Sequence, residues 1–100
     1  MTMTDGKTIE GITFDYEKDG QQVRKQVSKK VLSSTGTWAT IAFQHQDLSH
    51  ASGEFKDSRV TIARYKKSDS DWKKQSGFNV NSREQAEGVI AFLKEAFGIE

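Results

Sequence analysis

The alternation of apolar and polar residues predicts two paired strands at the start of the chain. Within 7–17 the apolar residues are mostly two positions apart, the period of a strand, with one irregularity near Gly11. Asp19-Gly20 then forms a hairpin-turn signal. The valines of 21–32 are four apart, which fits one face of a strand and also a helix. We predict a strand, because valine is β-branched and the segment follows a hairpin turn.

Three further strands are predicted in the middle of the chain. Residues 33–36 are a polar break, and 37–47 are rich in β-branched and aromatic residues. Alternation puts Trp38, Thr40, Ala42 and Gln44 on one face of this strand, opposite Ala39, Ile41, Phe43 and His45. Residues 48–57 are a polar loop around Phe55, and 59–67 are a strand whose partner begins after the turn residues 68–71. The return strand, 72–81, is predicted to place Trp72, Lys74, Ser76, Phe78 and Val80 on one face.

The C-terminal segment predicts an amphipathic helix over 82–97. Ser82 with Gln85 forms a capping box, and Gly98 is a helix stop. Gly88 lies inside this helix, where a close contact would explain a residue that costs about 1 kcal/mol relative to alanine. Apolar residues recur at steps of three and four: Ala86, Val89, Ile90, Leu93 and Phe97.

Strands first and one helix last indicate an α+β fold. We expect a loose tail at 1–6 and a single domain at 7–100, divided into an N-terminal hairpin at 7–33, a sheet at 37–81 and the helix. The sheet should be antiparallel, with four or more strands. A chain of 100 residues buries a modest core, so a homodimer that covers the helix stripe is expected. Its predicted interface is Val89, Ile90, Leu93 and Phe97.

The charge is unevenly distributed along the chain. Residues 1–20 carry two lysines against five acidic residues, 21–78 carry eleven basic against five acidic, and 79–100 carry two against four. A basic middle between acidic ends suggests a surface for a polyanion, although a solvated lysine-rich face gives the same pattern. The chain has no cysteine, no membrane-length apolar run and no signal pattern, so we expect an intracellular protein, cytoplasmic or nucleoid-associated.

No catalytic or cofactor pattern stands out. His45 and His50 flank Asp47 without a third evident metal ligand, and Asp47, Ser49 and His50 are adjacent rather than dispersed as in a hydrolase triad. Phosphate-binding glycine loops are absent from the sequence. We therefore expect no enzyme, no metal and no cofactor, and a function based on binding.

Strand-borne basic residues interleaved with aromatics are typical of proteins that bind single-stranded nucleic acid. Bases stack on the aromatic side chains at about 1–3 kcal/mol each, while the cations follow the phosphates. Among the apolar residues, Phe43, Phe78, Val60 and Ile62 are expected to be core residues rather than ligand contacts, whereas Tyr65 and Trp72 flank a turn and are expected to be exposed. Alternation also allows only one of the pairs Tyr65 with Lys67 or Arg64 with Lys66 to face a given groove. The candidate DNA-binding residues are Arg24, Lys25, Lys29, Lys30, Trp38, Phe43, Arg59, Arg64, Tyr65, Lys66, Lys67, Trp72, Lys73 and Lys74.

Residues 37–98 resemble the single-stranded-DNA-binding domain of the transcriptional coactivator positive cofactor four family. That family has a V-x-I strand, a basic and aromatic hairpin, a strand ending in a K-G-I-S-L type motif, and then an amphipathic helix. The matching segments here are Val60-Thr61-Ile62, Tyr65-Lys66-Lys67 to Trp72-Lys73-Lys74, Ser76-Gly77-Phe78-Asn79-Val80, and a helix over 81–97.

The resemblance implies a curved four-stranded antiparallel sheet, a homodimer formed through the helix, and a pair of basic grooves for unpaired DNA. The 7–33 segment would supply the first strand and an additional hairpin arm. Two departures are present. The family's basic pair before the motif glycine is Gln75 and Ser76 here, which shifts that contact to Lys73 and Lys74, and its hairpin aromatic corresponds to either Tyr65 or Trp72.

The sequence therefore predicts a homodimeric, sequence-tolerant single-stranded-DNA-binding protein. The short form resembles a bacterial or phage member of the family, which implies replication or recombination as well as transcription regulation, with proteins of those processes as further partners. Two other functions fit the same residues. One is a protein-interaction module that docks a partner through its helix stripe or sheet edge, and the other is an RNA-binding or duplex-bending protein.

Overall fold

A computed structural model describes residues 8–100 and shows an α+β fold. Five antiparallel strands in the order β1-β2-β3-β4-β5 form a curved half-barrel sheet, followed by one C-terminal helix. The elements are β1 (Tyr16–Lys18), β2 (Gln21–Thr35), β3 (Trp38–Asp47), β4 (Arg59–Ser68), β5 (Asp71–Val80) and α1 (Arg83–Phe97). The tail predicted at 1–6 lies outside the described residues.

Three tight turns connect the strands where the sequence carries turn residues. Asp19-Gly20 joins β1 to β2, and both residues have positive φ, 53° and 80°. Gly36 at φ 58° begins the β2–β3 turn, and Asp69 at φ 58° begins the β4–β5 turn. β2 continues to Thr35, so the break predicted at 33–36 is confined to the turn after Thr35.

Strand alternation divides the sheet into two faces of different character. The inner face carries Ala39, Ile41, Phe43 and His45 of β3 beside Thr61, Ala63 and Tyr65 of β4, all of them buried. The open face carries Trp38, Thr40, Ala42 and Gln44 of β3, all partly exposed. The two faces predicted for β3 are confirmed.

The segment 8–15, called the strap below, covers the inner face. The strand predicted over 7–17 is wrong for these residues, since pairing with β2 begins only at Tyr16. The strap turns at its start, where the Gly11 and Ile12 amides donate to the carbonyls of Thr8 and Ile9 at 3.2 and 3.3 Å. Ile12 and Phe14 are then 2% and 7% exposed, in the same cluster as Ile41 and Phe43. The two-residue spacing of these apolar side chains reflects burial on the sheet face rather than strand pairing.

A bulge at Gln75 changes the faces predicted for the return strand. Arg64 pairs with Ser76 but Tyr65 pairs with Lys74, so one β5 residue is left without a partner. Because an extra residue reverses the alternation, Trp72 and Lys74 lie on the inner face with Gly77 and Asn79. Lys73 lies on the open face with Ser76, Phe78 and Val80. The single face predicted for Trp72, Lys74, Ser76, Phe78 and Val80 is therefore wrong.

Helix α1 forms where the sequence predicts it but packs little against the rest of the chain. The Ser82 side chain accepts from the Gln85 amide at 3.1 Å, the Gln85 side chain accepts from the Asn81 amide at 2.9 Å, and Gly98 closes the helix at φ 64°. Among the strands α1 contacts only β5, and none of its residues is buried. A Cβ at Gly88 would meet nothing within 4 Å, so the close contact expected there is absent from the protomer.

Candidate nucleic-acid interface

The register of the sheet distributes the candidate DNA-binding residues over both faces. The inner face receives Arg24, Lys29, Phe43, Arg59, Tyr65, Lys67, Trp72 and Lys74. The open face receives Lys25, Lys30, Trp38, Arg64, Lys66 and Lys73. Arg64 with Lys66 and Tyr65 with Lys67 lie on opposite faces, as predicted. Sequence alternation left open which set contacts a ligand, and the accessibility of the two faces distinguishes them.

A basic and aromatic cluster occupies the open face at the end of the sheet formed by the β2–β3 and β4–β5 turns. Trp38, Lys66 and Lys73 form one row across three adjacent strands, with Arg64 in the next row. We call these four residues the platform. The Arg64 guanidinium lies 4.1 Å from the centroid of the Trp38 ring, and the Lys66 ammonium lies 5.3 Å from it. Both distances are within the range of cation–π attraction.

The platform cations are free to contact an anion. Arg64, Lys66 and Lys73 are exposed, and Trp38 is partly exposed. Within residues 8–100 the salt bridges join Arg24 to Asp47, His45 to Asp47 and Arg83 to Glu87, so none involves a platform residue. Positive charge that is not neutralised by neighbouring acids raises the local concentration of phosphate. Guanidinium planes and indole rings are also groups on which bases stack in single-strand-binding proteins.

The open face becomes apolar away from the platform. Ala42, Ile62 and Phe78 form a row across β3, β4 and β5, and Phe78 is 51% exposed. The expectation that Phe78 is a core residue is therefore wrong within the protomer. The two remaining cations of this face lie on β2, where Lys30 pairs with Ala42 and the Lys25 ammonium lies 4.6 Å from the Phe55 ring centroid.

The inner-face aromatics are closed off by the strap. Phe43 is fully buried and Tyr65 is 6% exposed, while Trp72 packs against the same cluster and remains partly exposed. The expected exposure of Tyr65 is thus wrong, because Ile12 and Phe14 cover the face to which alternation assigns it. Burial also raises the pKa of the Tyr65 hydroxyl. In this arrangement a base cannot reach Phe43 or Tyr65.

Three inner-face cations are directed at the strap. Lys29 Nζ donates to the carbonyl oxygens of Ile9, Glu10 and Ile12. Burial lowers the pKa of Lys29, an effect that the charge of Glu10 partly offsets. Arg24 Cζ and Lys74 Nζ lie 4.6 and 5.4 Å from the Phe14 ring centroid. Lys74 reaches this position by crossing Gly77, where a Cβ would lie 3.0 Å from Lys74 Cε. Lys67 and Arg59 of this face are exposed.

A buried polar chain on the inner face was not predicted from the sequence. His45 Nδ1 lies 3.1 Å from Asp47 Oδ1, His45 Nε2 lies 2.8 Å from Thr61 Oγ1, and Thr61 Oγ1 lies 2.7 Å from the Asn79 side-chain oxygen. The i, i+2 spacing of His45 and Asp47 on one strand was the available signal. Because Thr61 is 3% exposed, its hydroxyl is not accessible to a substrate.

The pKa values of this chain follow from burial and charge. Burial lowers the pKa of His45; Asp47 opposes the change, and the positive charges of Arg24 and Arg59 add to it. Burial would raise the pKa of Asp47, but hydrogen bonds and charge from Arg24 and His45 outweigh it and lower that pKa. Within the described residues no cluster of three or more His, Cys, Asp or Glu side chains could hold a metal ion.

No protein-family model, no curated protein and no solved structure matches the chain. Its function is therefore inferred from the fold and from the chemistry of its surfaces. None of the helices in residues 8–100 has the length and apolar character that crossing a membrane requires.

Proposed function

We propose that the protein binds single-stranded DNA without strong sequence preference, through the platform on the open face of its sheet. The observation that carries this proposal is the row of Trp38, Lys66 and Lys73 on the open face, with the Arg64 guanidinium over the Trp38 ring. It combines free cations for phosphates with flat surfaces for bases. Flat surfaces accept the face of any base, and unpaired bases expose those faces whereas a duplex buries them.

The resemblance of residues 37–98 to the positive cofactor four family supports the same function. The resemblance implies that basic residues of the β4–β5 hairpin contact DNA, and in this chain the hairpin contributes Arg64, Lys66 and Lys73 to one face. Transcription regulation, replication or recombination are processes in which such a protein would meet unpaired strands.

We further propose that the functional unit is a homodimer in which a second copy covers α1. The protomer is open: its radius of gyration is 15.2 Å, against about 13 Å for a compact domain of 100 residues. Ile90, Leu93 and Phe97 of the stripe are 52%, 43% and 73% exposed, and Phe78 adds exposed apolar surface on the sheet. A second copy of the same chain supplies a matching apolar helix, and burying the stripe of each protomer would complete the layer that the sheet lacks. A dimer would carry two platforms.

The platform is tested by fluorescence anisotropy with an unstructured oligonucleotide, its matched duplex and an RNA of the same sequence. We expect tighter binding of the single-stranded DNA than of the duplex, and a steep loss of affinity with salt. In Arg64→Ala/Lys66→Ala the slope of log K against log salt should fall by about 0.7 for each phosphate contact removed. Trp38→Ala should weaken binding by about 1–3 kcal/mol.

The matched control is Lys18→Ala/Lys56→Ala, which removes two exposed lysines away from the platform and should leave the slope unchanged. Equal affinity for the duplex would overturn the proposed preference for single strands. Tighter binding of RNA would favour the RNA-binding alternative. An unchanged salt slope in the platform variant would place the DNA elsewhere on the protein.

A further inference from the structure

The strap occupies the inner face much as a nucleotide strand would. The Phe14 ring stacks on Phe43 with a centroid distance of 4.7 Å and an interplanar angle of 18°. This is the parallel arrangement in which a base stacks on an aromatic side chain. The cationic groups of Arg24 and Lys74 lie over the same Phe14 ring.

The strap backbone also supplies oxygen atoms where phosphates would lie. Lys29 Nζ donates to Ile12 O at 2.7 Å, to Glu10 O at 3.3 Å and to Ile9 O. A lysine ammonium donates three hydrogen bonds and binds phosphate oxygens in the same manner. Glu10 adds negative charge close to Lys29, and Asp15 is a second acidic residue of the strap. The strap thus combines an aromatic ring, oxygen atoms and negative charge, which are the features that a nucleotide strand would present to this face.

The Gln26 and Asp15 side chains anchor the C-terminal end of the strap to β2. The Gln26 side-chain oxygen accepts from the Phe14 amide at 2.9 Å and from the Thr13 hydroxyl at 3.2 Å. Asp15 Oδ1 accepts from the Gln26 amide at 2.7 Å and from the Gln22 side chain at 3.2 Å. No covalent bond ties residues 8–14 to β2–β5, since the chain contains no cysteine. Displacement of the strap would expose Ile12 and Phe14 and break the Lys29 bonds, but it would unpair no strand, because pairing with β2 begins at Tyr16.

We propose that the inner face is a second strand-binding site, occupied by the strap as an intramolecular competitor. Single-stranded DNA would displace residues 8–14, stack bases on Phe43 and Tyr65, and place phosphates at Arg24, Lys29 and Lys74. This inference rests on the proposed function, because both sites bind single-stranded DNA. DNA can enter only those molecules whose inner face is open. The apparent affinity of this face for single-stranded DNA is therefore its intrinsic affinity multiplied by the open fraction.

The strap is tested with Gln26→Ala in the full chain. This change removes two hydrogen bonds to the strap and leaves the apolar residues of the core in place. The open fraction, and with it the affinity for an unstructured DNA oligonucleotide, should rise about fivefold or more. Gln21→Ala is the matched control, since it changes an exposed glutamine of the same strand and should leave the affinity unchanged. Asp15→Asn weakens the same end of the strap and replaces Gln26→Ala if that variant does not fold.

Hydrogen exchange of the Gly11, Ile12 and Phe14 amides provides the second measurement. We expect these amides to lose protection when the wild-type protein is saturated with single-stranded DNA. Protection that stays the same or rises, with affinity unchanged in Gln26→Ala, would overturn the competitor role.

The same measurements separate this inference from the proposed function. If DNA binding depends on Arg64 and Lys66 while the strap amides stay protected, the inner-face site is contradicted and the platform is supported. If DNA binding does not depend on Arg64 and Lys66 but the strap amides lose protection, the platform is contradicted and the inner-face site is supported. Absence of DNA binding in both the wild type and Gln26→Ala overturns both.

Discussion

His45 is the residue at which burial has the clearest chemical consequence. It is 4% exposed and lies under the strap, with its ring centroid 4.8 Å from that of Phe14. Arg24 and Arg59 disfavour its protonation and Asp47 favours it, while burial is the largest effect and lowers its pKa. The folded protein therefore binds a proton at His45 less readily than the unfolded chain does.

This difference predicts a loss of stability in mild acid. The folded pKa of His45 lies below its ordinary value of 6.5. The contribution of neutral His45 to stability is thus complete above that value and is lost as the pH falls from there towards the folded pKa. Urea unfolding should give a lower free energy of unfolding at about pH 5.5 than at about pH 7.5.

The histidine variants identify the source of this pH dependence. His45→Gln should flatten the dependence between these two pH values, whereas His50→Gln, in the exposed loop, should retain it. An equally steep dependence in His45→Gln would assign the effect to another group. Asp47 acts at lower pH, since its lowered pKa means that its contribution is lost only as the pH falls through that value.

At the scale of elements, α1 is the part of the chain that follows most directly from local sequence. Ser82, Gln85 and Gly98 act at the ends as their residue types predict. These signals are local, because a cap needs only backbone groups within one turn of itself. Strand β5 is the opposite case. Its bulge arises from the pairing with β4, and the alternation of residues in the sequence did not predict it.

Gly88 gives a prediction for the helix itself. With open space around its would-be Cβ, Gly88→Ala should stabilise the protein by about 0.5–1 kcal/mol, because alanine loses less backbone entropy in a helix. Thermal or urea unfolding at a fixed protein concentration measures the change. Destabilisation would instead indicate a close approach at Gly88 by the second copy of the proposed dimer.

At the scale of the whole molecule, the protomer leaves a large apolar surface uncovered. The strap fills one face of the sheet, but α1 meets the sheet only at β5 and exposes Phe92 as well as its main stripe. Monomeric proteins rarely expose continuous apolar patches of this kind. The proposed homodimer would cover this surface with a second copy of α1.

The dimer predicts a molecular mass near twice that of the 11.3 kDa chain in light scattering coupled to size exclusion. Leu93→Asp should shift the protein to monomers, because it places a charge in the stripe that the proposed dimer buries. Glu95→Asp introduces the same residue at a charged position of the helix and should leave the dimer intact. A wild-type monomer at all concentrations would instead favour a protein-interaction module that docks another partner on α1.

The sequence alone determined the local character of β3, β4, α1 and the tight turns. Turn residues placed the Asp19-Gly20 and Asp69 turns, β-branched and aromatic runs placed β3 and β4, and the caps placed α1. The two faces of β3 followed from alternation. Each of these features depends on contacts within a few residues, so it can be predicted from a short window of sequence.

The tertiary structure decided which of the candidate binding residues are accessible. Tyr65 and Phe43 are aromatic residues of the kind that stack on bases. The strap nevertheless buries them, although it lies more than 25 residues before them in the chain. Arg24, Lys29 and Lys74 are basic like Lys66 but are directed at the strap, and the Gln75 bulge moves Lys73 to the platform face. Burial and register are properties of long-range packing, and no local pattern of residues determines them.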